Sequence, residues 1–172
     1  MTYTLGAKSL ANLAGVHPVL VAVVKRAIQL TEQDFTVYEG VRTLERQKQL
    51  VAAGTSKTLD SMHIPAPDRL QVLVEPGFLG HAVDLVPWID GRAQWDWDAI
   101  YPIASAVWRA ADKQGVQDKL NYGGVWDLWA NHWDGSTPEA VKRAVNAYTD
   151  RRRAKGRTAF LDGPHWQIGR LG

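Results

Sequence analysis

The sequence predicts an α+β protein: a single compact domain over residues 1–172, with a small antiparallel sheet flanked by helices. Three observations lead there. Segments of helical periodicity and of strand alternation are mixed along the chain without the regular β-α-β order that builds a parallel sheet. A length of 172 residues fits one domain able to bury its own core. Cysteine is absent, so packing rather than disulfides must hold that core together.

The elements follow in order. A first helix is expected to begin near Ser9 or His17. From Pro18, which suits a first helical position, Val19, Leu20, Val23, Val24, Ala27, Ile28 and Leu30 recur at helical spacing. Phe35 to Glu39 alternates, is rich in strand formers and ends at Gly40. Leu44 to Ala53 reads as a helix closed by Gly54. Residues 55–80 carry Pro65, Pro67, Pro76, Gly77 and Gly80 and read as a loop, within which Leu70 to Val74 has the composition of a short strand. Ala82 to Trp88 is a strand with a turn at Asp90-Gly91, and Asp98 to Gln114 a helix stopped by Gly115. Residues 116–135 read as a loop or hairpin. Thr137 caps, and Pro138 starts, a helix running to about Arg153. Thr158 to Ile168 reads as a strand interrupted by Gly163-Pro164.

A formal net charge of +2 argues against a dedicated nucleic-acid binder. Near the end, Lys142, Arg143, Arg151, Arg152, Arg153, Lys155 and Arg157 form a basic stretch. It is either a solvated helix face with favourable C-terminal charge or a weak contact for an anionic surface. Five of the tryptophans, Trp95, Trp97, Trp126, Trp129 and Trp133, fall in polar or Gly-rich stretches, where indoles can line a groove as well as fill a core. The first residues lack a basic region followed by an apolar run, so no secretory signal is expected.

Without cysteine, any metal must be held by His, Asp or Glu, and a hydrolytic zinc site needs about three such ligands with one open position. The histidines are His17, His63, His81, His132 and His165. Asp84 sits inside an apolar strand, a costly place for a carboxylate unless it binds a metal or forms a buried salt bridge. Strand alternation puts Asp84 on one face with Ala82 and Val86, and His81 on the other with Val83 and Leu85. Asp162-Gly163-Pro164-His165 must turn before His165, which would let Asp162 reach the same cavity and serve as a general base. His132 rivals the others as a ligand only if its loop folds over the cleft.

Ser61-Met62-His63, Gly80-His81-Ala82-Val83-Asp84 and Asp162-Gly163-Pro164-His165-Trp166-Gln167 together resemble the Ser-x-His-x-x-Gly-x-Ala-x-Asp and Asp-x-x-His motifs of the D-alanyl-D-alanine carboxypeptidase-like zinc peptidases. Gly40-Val41-Arg42-Thr43 is similar to that family's arginine segment. Size and the segment Leu13 to Pro18 are similar to phage endolysins of the L-alanyl-D-glutamate peptidase type. The resemblance implies a hedgehog/D,D-peptidase-like fold, one Zn2+ per chain on His63, Asp84 and His165, and Asp162 as general base. Arg42 would hold a substrate carbonyl or carboxylate and the developing oxyanion. Ser61, His81, Trp166 and Gln167 would bind substrate or support the site, with Gln167 standing where many relatives have Glu.

The implied substrate is the peptide stem of bacterial peptidoglycan, cut between L-Ala and D-Glu. A D,D-carboxypeptidase or D-Ala-diaminopimelate endopeptidase is the alternative, and a non-catalytic cell-wall-binding module the alternative of another class. The protein is expected to be a monomer, made in the host cytoplasm and acting at the cell wall or periplasm after release. One departure stands out. Residues 64–79 fall where the motif has two residues, and this insertion is expected to loop out, as a substrate-capping loop.

Overall fold

The computed structural model describes residues 2–75 and 77–171. Pro76, one of the expected loop prolines, lies outside them. Two helices open the chain, α1 (Ala7–Asn12) and α2 (Pro18–Leu30). α2 starts where the proline predicts, and the His17 side chain caps it by accepting the Val19 N–H. Strand β1 (Phe35–Glu39) leads to α3 (Leu44–Ala52), capped by the Thr43 hydroxyl. A two-residue pair, β2 (Ala66–Pro67) with β3 (Phe78–Leu79), closes the insertion antiparallel. Then come β4 (Ala82–Ile89), β5 (Arg92–Ala93) and α4 (Trp97–Gln114). Gly115 ends α4 in the left-handed conformation, φ 67°, which only glycine adopts without strain. β6 (Leu120–Tyr122), β7 (Val125–Trp129), α5 (Pro138–Ala154) and β8 (His165–Ile168) complete the chain.

The main sheet runs β1-β4-β8-β6-β7, with β5 paired on β4, and its recorded pairings are antiparallel. One face is apolar. Phe35, Val37, Val83, Leu85, Trp166 and Ile168 join Leu20, Val23 and Val24 of α2, Ile103 and Val107 of α4, and Val141 and Val145 of α5 in one buried core. At ~25 cal/mol per Å2 of apolar surface, burial of this kind is the main stabilising term. The opposite face carries Glu39, Asp84, His165, Gln167 and Asn121, which line a cleft.

Two sequence expectations are corrected. Leu70 to Val74 forms no strand, because the Asp68 carboxylate collects the N–H groups of Leu70, Val72 and Leu73 that a ladder would need. The strand expected from Thr158 begins only at His165. The Asp162 N–H and the His165 carbonyl both bond to Gly123, so the chain turns at Gly163-Pro164 instead of extending.

Candidate active site

Register decides the site. In the sheet Glu39 stands opposite Asp84, Asp84 opposite His165, and Asn121 opposite Gln167. Because side chains alternate, His165 and Gln167 share the cleft face and Trp166 faces the core. His63 arrives from the loop before the insertion. It is held by its carbonyl, which accepts the Arg42 N–H, and by its own N–H, which donates to the Ser61 hydroxyl.

His63 Nε2 and His165 Nδ1 lie 3.3 Å apart, and each is 3.2–3.3 Å from Asp84 Oδ1. The outer nitrogens fix the tautomers. His63 Nδ1 is 2.7 Å from the Gly40 carbonyl, an acceptor only, so that nitrogen carries the proton. His165 Nε2 is 2.9 Å from Gln167 Oε1, while the Gln167 amide nitrogen donates to the carbonyls of Gly169 and Arg170. His165 Nε2 therefore also carries its proton. In the neutral rings both inward nitrogens then present lone pairs to each other and to a carboxylate, an arrangement that repels itself unless a proton or a metal ion enters. The spacing suits one: ligands ~2.0–2.1 Å from a tetrahedral zinc are separated by about 3.3 Å. These three residues could hold a metal ion, and the donor set of two imidazoles and one carboxylate fits zinc.

Arg42 is buried beside this group. Its Nε and Nη2 grip Glu39 bidentately at 2.8 and 2.7 Å, and Nη1 donates to Gln47 at 2.7 Å. Nη2 also sits 3.6 Å from Asp84 Oδ2, so the fork is fixed with one edge toward the candidate ligands. Burial opposes charging of the Asp84 carboxyl, yet the neighbouring His63 and His165 hold it well below the ordinary carboxylate range. Burial pushes the Asp162 carboxyl above that range; His165 opposes this and the Asp84 carboxylate adds to it. The two acids are thus driven apart, one toward permanent charge and one toward proton exchange.

The remaining expected site residues divide. Ser61 and Gln167 line the cleft, as do Arg42 and Asp162. Trp166 does not; it is buried on the core face, stacked on Tyr122 at 4.3 Å. His81 does not either. Fully buried, it joins His17 and Asp68 in a second group of possible ligands. That group is already satisfied. His17 Nδ1 accepts the Val19 N–H, and Nε2 lies 2.9 Å from Asp68 Oδ1. His81 Nδ1 meets the Leu79 carbonyl, and Nε2 accepts the Arg69 N–H. No lone pair is left for a metal. The cluster instead ties the insertion to the start of α2, and among the described residues none of 64–79 lines the cleft, so the insertion is no cap over it. His132 is exposed and lines a different, smaller pocket against α5.

Sequence reasoning overlooked Glu39, Gln47 and the Gly40 carbonyl. Gln47 is the buried residue of α3, a placement its polar side chain does not announce in the sequence. Glu39 ends a strand of apolar alternation, and Gly40 acts through its backbone, which composition does not reveal. The tryptophans serve both expected uses. Trp133 packs in the core layer near Tyr122 and Trp166, whereas Trp95 and Trp126 line the cleft.

The phage L-alanyl-D-glutamate peptidase family matches residues 1–146. This chain belongs to that family. Over 135 residues it is 32% identical to the L-alanyl-D-glutamate peptidase of Escherichia phage T5, covering 78% of this chain and 89% of that protein. The crystal structure of the L-Ala D-Glu endopeptidase ChiX of Serratia marcescens superposes with a TM-score of 0.64 at 32% identity, covering 97% of this chain and 90% of ChiX. The peptidase is therefore an enzyme rather than a binding module, and its α+β fold is shared with ChiX.

Proposed function

We propose that this peptidase is a zinc-dependent endolysin that hydrolyses the L-Ala–D-Glu amide in the peptide stem of bacterial peptidoglycan. The observation that carries the reading is the convergence of His63 Nε2, His165 Nδ1 and Asp84 Oδ1 at 3.2–3.3 Å with both outer ring nitrogens already spoken for. The names of the T5 and Serratia relatives favour this bond over the D-Ala bonds.

His63, Asp84 and His165 would hold the ion; what zinc supplies there when bound is Lewis acidity toward the scissile carbonyl and the attacking water. Asp162, in the same cleft, accepts a proton from that water and returns it to the departing D-Glu nitrogen. Arg42, clamped by Glu39 and Gln47, turns the Nη2 side that faces Asp84 toward the negative charge developing on the carbonyl oxygen. Ser61 keeps His63 and Arg42 in mutual register, its hydroxyl 3.2 Å from the His63 N–H and 3.5 Å from Arg42 Nη1. The enzyme is made in the host cytoplasm, acts as a monomer and reaches the wall after release, where its basic C-terminal stretch adds weak attraction for anionic polymer.

Asp162→Ala should retain one zinc per chain yet lose about 10²–10⁴-fold in turnover of purified sacculi, the contribution general-base catalysis makes. His165→Ala should lose the zinc as well. Metal analysis beside a turbidity assay reads both. Lysis by Asp162→Ala at the wild-type rate would end this mechanism.

A further inference from the structure

In the cleft Tyr38 and Trp95 meet edge to face, ring centroids 5.1 Å apart, and both line the cavity. They are 50% and 57% exposed, a poor use of large apolar surface unless something covers it. Tyr38 is turned outward for a local reason. The β1–β4 register passes from Val37↔Leu85 to Glu39↔Asp84, so Tyr38 is the extra residue of a bulge, a device that re-aims side chains beside active sites. Phe160 lines the cavity too and is 49% exposed, but its ring is stacked on Trp126 at 6.1 Å and has Lys57 Nζ 5.3 Å from its centroid.

We infer that Tyr38 and Trp95 form a subsite for the N-acetylated aminosugar from which the peptide stem hangs. This rests on the proposed L-Ala–D-Glu cleavage and extends it to recognition of the glycan. A β-linked glucosamine-type ring carries its substituents equatorially, leaving axial C–H groups on each face, and these seat on the negative face of an aromatic ring. Distance selects the sugar over other occupants. Tyr38 lies one residue along β1 and one strand spacing across from Asp84, roughly 6 Å backbone to backbone. From the L-Ala carbonyl back through the alanine and the lactyl group to the sugar is about two residue lengths, ~7 Å. Cleavage at a D-Ala bond would carry the sugar several residues further, beyond ~14 Å. A sugar platform this near the metal group serves only a cut close to the glycan.

The test uses full-length peptidase and two substrates with one stem peptide, the first N-linked to the muramyl sugar and the second N-acetylated and sugar-free. In the wild type, kcat/KM for the sugar-bearing substrate should exceed that for the sugar-free one about tenfold. In Trp95→Ala the ratio should collapse toward one, with zinc content unchanged, and Trp95→Phe should restore part of it. A ratio near one in the wild type, or a ratio unaltered in Trp95→Ala, overturns the inference. Failure of the wild type to cut either substrate counts against the proposed cleavage instead. Saturation-transfer NMR with the free muramyl disaccharide then decides the subsite: sugar signals lost in Trp95→Ala support it, and signals absent or equal in both proteins overturn it.

Discussion

Two hydrogen bonds on the far sides of two imidazoles govern the site at the residue scale. Gly40 and Gln167 hold His63 and His165 in the tautomers that aim lone pairs at Asp84. Gln167→Leu removes the acceptor and frees the His165 ring. Zinc affinity, read by competition with a chromophoric chelator, should fall about 10–100-fold; Gln167→Glu should hold zinc at least as tightly. Arg42 gives a second prediction. Lysine keeps the charge but not the fork on Glu39, so Arg42→Lys should lose about 10²–10³-fold in kcat while the zinc content stays at one per chain. Asp84 was readable early, because a carboxylate in an apolar strand demands a partner. The identity of that partner was not readable, since the Asp84–His165 pairing is a register set over 81 positions of chain.

At the scale of elements, Gly123 and the insertion carry the tests. A Cβ at Gly123 would collide with the Asp162 carbonyl oxygen and press on His165 Cβ at 3.0 Å, so the backbone there would have to shift. Gly123→Ala should therefore push the 162–165 turn away from β6, lowering the melting temperature through an overpacking cost of about 1–3 kcal/mol and lowering turnover with it. The insertion is anchored by Asp68. Burial opposes its charge, but the N–H groups of Leu73 and Leu70, the His17 ring and the Val72 N–H outweigh this and hold its pKa well below the ordinary 3.8. The native state thus binds that proton less readily than the unfolded chain. The stability it adds is complete above pH 3.8 and drains away as the pH falls through 3.8 toward the lower native value. Asp68→Asn should be less stable at neutral pH, and its stability should decline less between about pH 5 and 2, as followed by denaturant titration.

The same element shows the limit of reading by propensity. Leu70 to Val74 has strand composition, yet one upstream carboxylate captures its amides and bends it. Helix boundaries fared better, because Pro18, Thr43, Gly115, Thr137 and Pro138 act locally, through caps and φ angles that neighbours in sequence settle. What stayed hidden depended on contacts between distant segments: Glu39 with Arg42 and Asp84, Gly123 with Asp162, His17 with Asp68.

For the molecule as a whole, the sheet separates two jobs. Its apolar face builds a core with α2, α4 and α5, and over its polar face Asp84 of β4 and His165 of β8 meet His63 from a loop as candidate ligands. Closing the site with a metal should therefore stabilise the whole fold. With free zinc at 100 times its dissociation constant, binding adds about 2.7 kcal/mol. For a chain of 172 residues that is a rise in melting temperature of roughly 5–11 °C. Calorimetry should find the rise in the wild type and in Asp162→Ala, and not in His165→Ala.

The central claim is that a divalent ion held by three side chains enables one amide cut. Mass spectrometry of sacculi digested by the wild type, by chelator-stripped enzyme and by stripped enzyme given zinc again tests it most directly. The account predicts new amino-terminal glutamate in the first and third digests and none in the second. Equal release of that terminus by the stripped enzyme, or new termini at alanine or diaminopimelate instead, would contradict it.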